Sequence, residues 1–349
     1  MILSVSRRTD IPNYYAEWFM GRIREGFCYV RNPMNPHQVS RIDLSPQVVD
    51  CIVFWTKNPA NIMQYLEELG DYAYYFQFTL TGYGRDIEPG LPDKRQELIP
   101  TFQELSKRIG KERVIWRYDP IFLNEKYTAD YHLKAFAEIA DRLEGSTERV
   151  VVSFVDMYAK IRRNAAEHSI HETAEEEIIP LAKGMAQIAA DHHLLIESCA
   201  EQIELQELGI RHGRCIDQNL IERLLGCRLI GGKDKNQRKE CGCFESVEVG
   251  TYNTCLNGCK YCYANFSDKS VAENVKLYRV DSPLLCGNVD TEDRVTDRAV
   301  KSLKDGQISL GECCSVCCYG VVGEGFRPEN RAGNPGRQRN VSFDDSPQL

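Results

Sequence analysis

The chain has no long apolar run. Its most apolar stretches, such as Cys51 to Trp55, stop far short of the roughly 20 residues a membrane span needs. It has no excess of positive charge. With 43 Lys and Arg against 51 Asp and Glu the net charge is −8, which argues against coating nucleic acid by bulk charge and leaves only a local basic patch open. The N-terminal MILSVSRRTDIP meets charge at Arg7 and offers no apolar signal core, so the expected location is cytoplasmic. No Gly-x-Gly-x-x-Gly follows an apolar strand, which removes the usual support for a dinucleotide fold. Histidine is scarce, with 7 residues, and none joins a recognisable nucleophile–base unit. Disorder throughout is excluded by a 42% hydrophobic content.

Cysteine is abundant. There are 15, an odd number in a chain without a signal, which reads as metal or thiol chemistry rather than a disulfide framework. Five lie at or before Cys227 and the rest follow it.

Short apolar strands alternate with helical segments through the first 200 residues. Strands are predicted at 2–6, 51–55, 74–80, 113–118, 149–154 and 193–199. Helices are predicted up to about 24, then at about 60–69, 93–109, 128–144 and 181–191, the last with Pro180 in its first turn. Six such units predict an α/β protein, a TIM-like full or partial βα barrel. Residues 25–50 suggest a small hairpin, and 216–225 a compact amphipathic helix. The expected division is a barrel over 1–240, a cysteine-rich cluster segment over 241–310 packed on or closing it, and a disordered tail over 311–349.

In βα barrels the site is built where the strands end. Those positions hold Arg7, Arg8, Asp10, Lys57, Arg117, Asp119, Asp156 and Glu197. Charges inside strands, such as Arg117 and Glu197, are costly unless paired or functional. The basic four are candidates for contacting an anion or substrate. The acidic four are candidates for orienting ligands or one another.

The strongest local signal is Cys255-Leu-Asn-Gly-Cys259-Lys-Tyr-Cys262. Three thiolates on one compact loop can hold three irons of a [4Fe–4S] cluster and leave the fourth iron open. A zinc knuckle with one further ligand from elsewhere is the competing reading. A second set, Cys199, Cys215, Cys241 and Cys243, has enough sulfur for a closed site, a second [4Fe–4S] cluster or zinc, but its spacing is not diagnostic.

CLNGCKYCYAN resembles the cluster loop of radical S-adenosylmethionine enzymes, with an aromatic before the third cysteine. The resemblance implies S-adenosylmethionine on the open iron of Cys255, Cys259 and Cys262, an external reductant, and a 5′-deoxyadenosyl radical that abstracts hydrogen from a substrate the sequence does not name. In that superfamily the loop normally follows the first strand. Here it follows six units, so the expectation is a permuted barrel in which 245–250 runs into the loop beside the first strand. No Gly-Gly-Glu follows a strand. The alternative function is therefore a non-radical iron–sulfur or zinc protein with an electron-transfer, regulatory or structural role. From about 1 to 310 the chain also resembles a bacterial family labelled domain of unknown function 1848, through SRRTDIP at 6–12, FWTKNP at 54–59, WRYDP at 116–120, ESCAE at 197–201, GRCID at 213–217 and CGC at 241–243. That resemblance implies an architecture but no reaction, and by it the last 39 residues are expected to be an appended or altered tail.

Overall fold

The computed structural model describes residues 1–157 and 162–306. The segment 311–349 lies outside them. Residues 1–306 form one compact unit. The strands are β1 (Ile2–Val5), β2 (Phe27–Asn32), β3 (Asn35–Asp43), β4 (Cys51–Thr56), β5 (Ala73–Thr79), β6 (Val114–Ile121), β7 (Arg149–Phe154), β8 (Leu195–Ser198), β9 (Arg211–His212), β10 (Val247–Val249) and β11 (Arg294–Asp297). The helices are α1 (Ile11–Tyr14), α2 (Ala16–Glu25), α3 (Ile99–Ile109), α4 (Ala129–Arg142), α5 (Arg162–Glu167), α6 (Glu175–Asp191), α7 (Gln218–Leu225) and α8 (Asp268–Lys276).

Eight strands make one sheet in the order β10-β1-β4-β5-β6-β7-β8-β9, and its pairings are parallel. This is a TIM-barrel-like α/β arrangement in which a late strand flanks the first. β9 and β10 are the two ends of the sheet, and no pairing joins them among the described residues. The hairpin β2–β3 is antiparallel and takes β11 as a parallel third strand.

The alternation along each strand divides the core in two. Leu3, Val5, Phe54, Phe76, Phe78, Trp116, Tyr118 and Val152 face the helices and pack with Phe19, Phe102, Phe136 and Met185. Ile2, Cys51, Val53, Tyr75, Ile115 and Val151 face the other way and pack on Ile216, Leu220, Ile221 and Phe244. The barrel interior is thus filled by α7 and its flanks. Tyr75 ties this plug down, donating to the Cys215 carbonyl at 2.6 Å and accepting from Asp217 N at 3.1 Å.

Helix ends follow local chemistry. The Asp10 and Thr128 side chains cap α1 and α4, and Gly26 ends α2 in the left-handed region at φ 77°. Two expectations need correction. The predicted helix at 60–69 is a 3₁₀ helix, Met63–Leu69. Helix α6 begins at Glu175, so Pro180 lies inside it rather than in its first turn. Pro180 and Glu176 are exposed, so water can satisfy the carbonyl that loses its partner. No helix among the described residues is long and apolar enough to cross a membrane.

Candidate functional site

A cavity of about 910 Å³ opens at the strand ends. Its walls carry Arg7, Arg8, Asp10, Lys57, Arg117, Asp119 and Asp156, and all seven cysteines of the two sequence sets: Cys199, Cys215, Cys241, Cys243, Cys255, Cys259 and Cys262. Glu197 is not on the wall. It lies two residues before Cys199 on β8, one step deeper on the same face, and pairs with Arg149 at 3.3 Å.

The loop 255–262 is fastened by backbone and side chain. Gly90 N donates to the Asn257 carbonyl and Lys260 N to the Ile87 carbonyl, both at 3.0 Å. The buried Asp10 carboxylate accepts from Thr56 Oγ1 at 2.7 Å, Lys57 N at 2.9 Å, Asn257 Nδ2 at 3.0 Å and Asn13 N at 3.2 Å. One acid therefore joins the ends of β1 and β4 to the cysteine loop. Burial pushes its pKa up, against those four donors.

Beside the loop lies an ion cluster. Lys57 Nζ is 2.8 Å from both Glu88 Oε1 and the Tyr261 hydroxyl, and Lys94 and Tyr261 also bond Glu88. Burial works against ionised Glu88, but Lys57 and Lys94 outweigh it and hold the carboxyl at about 2. One carboxylate serving two ammonium groups leaves net positive charge, and Cys259 lies in its field. Burial pushes Cys259 up to about 12 despite the opposing Lys57. A metal would have to displace that proton on binding.

The arginines are distinct. Arg7 bonds Glu248 at 3.1 Å and Ser246 at 3.0 Å. Arg117 pairs with Asp119 and donates to Cys215 Sγ at 2.8 Å and Gln77 Oε1 at 3.2 Å. Both guanidiniums lie over the Trp55 ring, at 5.7 and 5.3 Å from its centre. Asp156 pairs with Arg238. Arg8 has no ion pair among the described residues. It lies over the Tyr252 ring at 5.1 Å.

Sequence reasoning missed Glu88, Lys94, Asn257 and Glu248. Glu88 sits in Asp-Ile-Glu-Pro-Gly, where a single acid beside an isoleucine and a proline was the available signal. None of the histidines stood out in the sequence, yet one of them, His37, has acidic neighbours. His37, Asp290 and Asp293 bring ligand atoms within 4.8 Å of one another and could coordinate a metal ion. Arg31 competes there, holding Asp293 at 2.5 and 2.8 Å.

The family profile described as Domain of unknown function (DUF1848) matches residues 2–264. The chain belongs to this family. The DUF1848 match takes in all eight strands of the large sheet, the β2–β3 hairpin and the whole of the 255–262 loop, ending two residues beyond Cys262. It is shorter than the span to 310 that the resemblance suggested. No curated protein and no solved structure matches the chain.

Proposed function

We propose that this DUF1848 protein is an iron–sulfur enzyme of the radical S-adenosylmethionine type. Cys255, Cys259 and Cys262 would hold its [4Fe–4S] cluster, and the strand-end cavity would be its reaction chamber. The observation that carries this reading is the shared wall: three thiols of one short loop face the same cavity as Arg7, Arg8, Lys57, Arg117, Asp119 and Asp156. The donor set fits the group, since three sulfurs satisfy three irons and leave one open. When bound, such a cluster supplies a site for the amino and carboxylate groups of S-adenosylmethionine and the electron that splits its sulfonium.

The chain's own residues would do the rest. Asp10 and Asn257 hold the loop in register. The positive Lys57–Glu88–Lys94 group offsets the negative charge that cysteine ligation brings. Arg8, over the Tyr252 ring and without a carboxylate partner among the described residues, would offer a guanidinium to an anionic group of the incoming molecule. Among the described residues every cysteine is a free thiol, which suits a reducing cytoplasm and a one-electron protein reductant as partner.

Anaerobic reconstitution tests the reading. The reduced holo-protein should cleave S-adenosylmethionine to methionine and 5′-deoxyadenosine, and C259A should abolish cleavage by at least about 100-fold. An intact cluster that never cleaves it would refute the enzyme reading in favour of an electron-transfer, regulatory or structural iron–sulfur protein. Stoichiometric zinc in the 255–262 loop would refute it too.

A further inference from the structure

We propose that Cys199, Cys215, Cys241 and Cys243 hold a separate, all-cysteine iron–sulfur cluster that staples the open seam of the barrel. Their placement is the first argument. Cys199 directly follows β8, Cys215 follows β9, and Cys241 and Cys243 precede β10. β9 and β10 are the two unpaired ends of the sheet. The four thiols therefore come from both sides of the gap that hydrogen bonding leaves open.

Their contacts are the second argument. Cys199 Sγ and Cys215 Sγ are 3.1 Å apart, and Cys243 interacts with both Cys215 and Cys241. Cys215, Cys241 and Cys243 are buried, and all four sulfur residues line the cavity wall. Two donors already serve these sulfurs. The Arg117 guanidinium, itself 4% exposed, donates to Cys215 at 2.8 Å, and Ile216 N donates to Cys243 at 3.4 Å. A buried cation hydrogen-bonded to sulfur is suited to thiolate charge, and such donors to the sulfurs tune clusters.

Iron–sulfur and zinc would ask different spacings of the same four sulfurs. Tetrahedral zinc, with Zn–S of about 2.3 Å, gathers its sulfurs to roughly 3.8 Å from one another. Among the described residues no three of these sulfurs lie mutually within 4.8 Å. A cubane binds its cysteines at separate corners, so holding one would part Cys199 from Cys215, now 3.1 Å apart. Cys199 is the half-buried member of the four. With four protein ligands no iron stays open, so this centre carries electrons and closes the seam; it does not activate substrate.

The proposal shares the cavity of the proposed function but does not depend on its radical chemistry. The test is metal content, measured on anaerobically purified full chain and on two variants. Wild type should hold about eight irons and eight sulfides per chain. C255A/C259A/C262A and C199A/C215A/C241A/C243A should each hold about four. C241S alone, the milder change, should lose the second cluster while keeping the first, and limited proteolysis within 231–240 should quicken in it but not in the triple variant. A wild-type count of about four irons unaffected by C241S, or one zinc per chain that C241S removes, overturns the proposal. Four irons kept by the triple variant, with no cleavage of S-adenosylmethionine in wild type, supports this centre while refuting the radical reading.

Discussion

His132 shows what burial does to a single residue here. It has no exposed surface, and its ring nitrogens lie 2.9 Å from the Tyr118 hydroxyl and 2.9 Å from the Phe122 carbonyl. The carbonyl can only accept, so Nε2 carries the proton and Nδ1 accepts from Tyr118. Burial holds the imidazolium pKa at about 4, below the ordinary value of 6.5. The unfolded chain therefore takes up this proton first. Its contribution to stability is complete above pH 6.5 and drains away as pH falls toward 4, by up to about 3 kcal/mol. Glu201 runs the other way. Burial raises its carboxyl to about 7, so the folded chain binds that proton first and gains stability as pH falls from 7 to 4.5. The two windows overlap, so the histidine is read as a difference. Urea unfolding between pH 7 and 5 should fall more steeply in wild type than in H132Q, and equal slopes would show that His132 is not held neutral.

At the scale of elements, the cysteine loop depends on one close approach. A Cβ on Gly90 would meet the Leu256 carbonyl oxygen at 2.5 Å and the Asn257 oxygen at 2.8 Å, both backbone atoms that cannot rotate aside. G90A should therefore push the loop off its two backbone hydrogen bonds and cut the iron bound on reconstitution several-fold. G232A, where nothing lies within 4 Å, should leave it unchanged. Equal iron in both would remove the loop's register from the argument. This dependence also marks the limit of reading the sequence alone. The strands at 51–56, 73–79 and 149–154 were legible because each carries a run of buried apolar residues, 51–54, 74–76 and 150–152, as a parallel sheet covered on both faces requires. Cys255, Cys259 and Cys262 were legible because their spacing is local. Glu88, Asn257 and Gly90 act through partners far away in sequence, and nothing periodic marks them. β9 has two residues and β11 is exposed throughout, so neither left an apolar signature.

Across the whole molecule, the join between β10 and β1 governs the site. Glu248 on β10 accepts from Ser4 Oγ at 2.7 Å, Ser6 Oγ at 2.6 Å, and Arg7 N and Nε at 3.0 and 3.1 Å. E248A removes all four bonds and leaves the largely buried Arg7 with Asp234, at 3.6 Å, and the neutral Ser246 hydroxyl, at 3.0 Å. The expected cost is about 2–4 kcal/mol. It is checked by chemical denaturation, and a loss below about 0.5 kcal/mol would show that β10 is not latched through this acid. The same join has a consequence for synthesis. Leu3 pairs with Val247, so one edge of β1 has no partner until 244 further residues have been made. At about 5–20 residues per second this takes roughly 12–50 s. Throughout that interval a nascent chain presents an apolar strand with a bare edge, and Asp10 lacks Asn257. A metal centre held by the 255–262 loop, as proposed, would form only once that loop has been made.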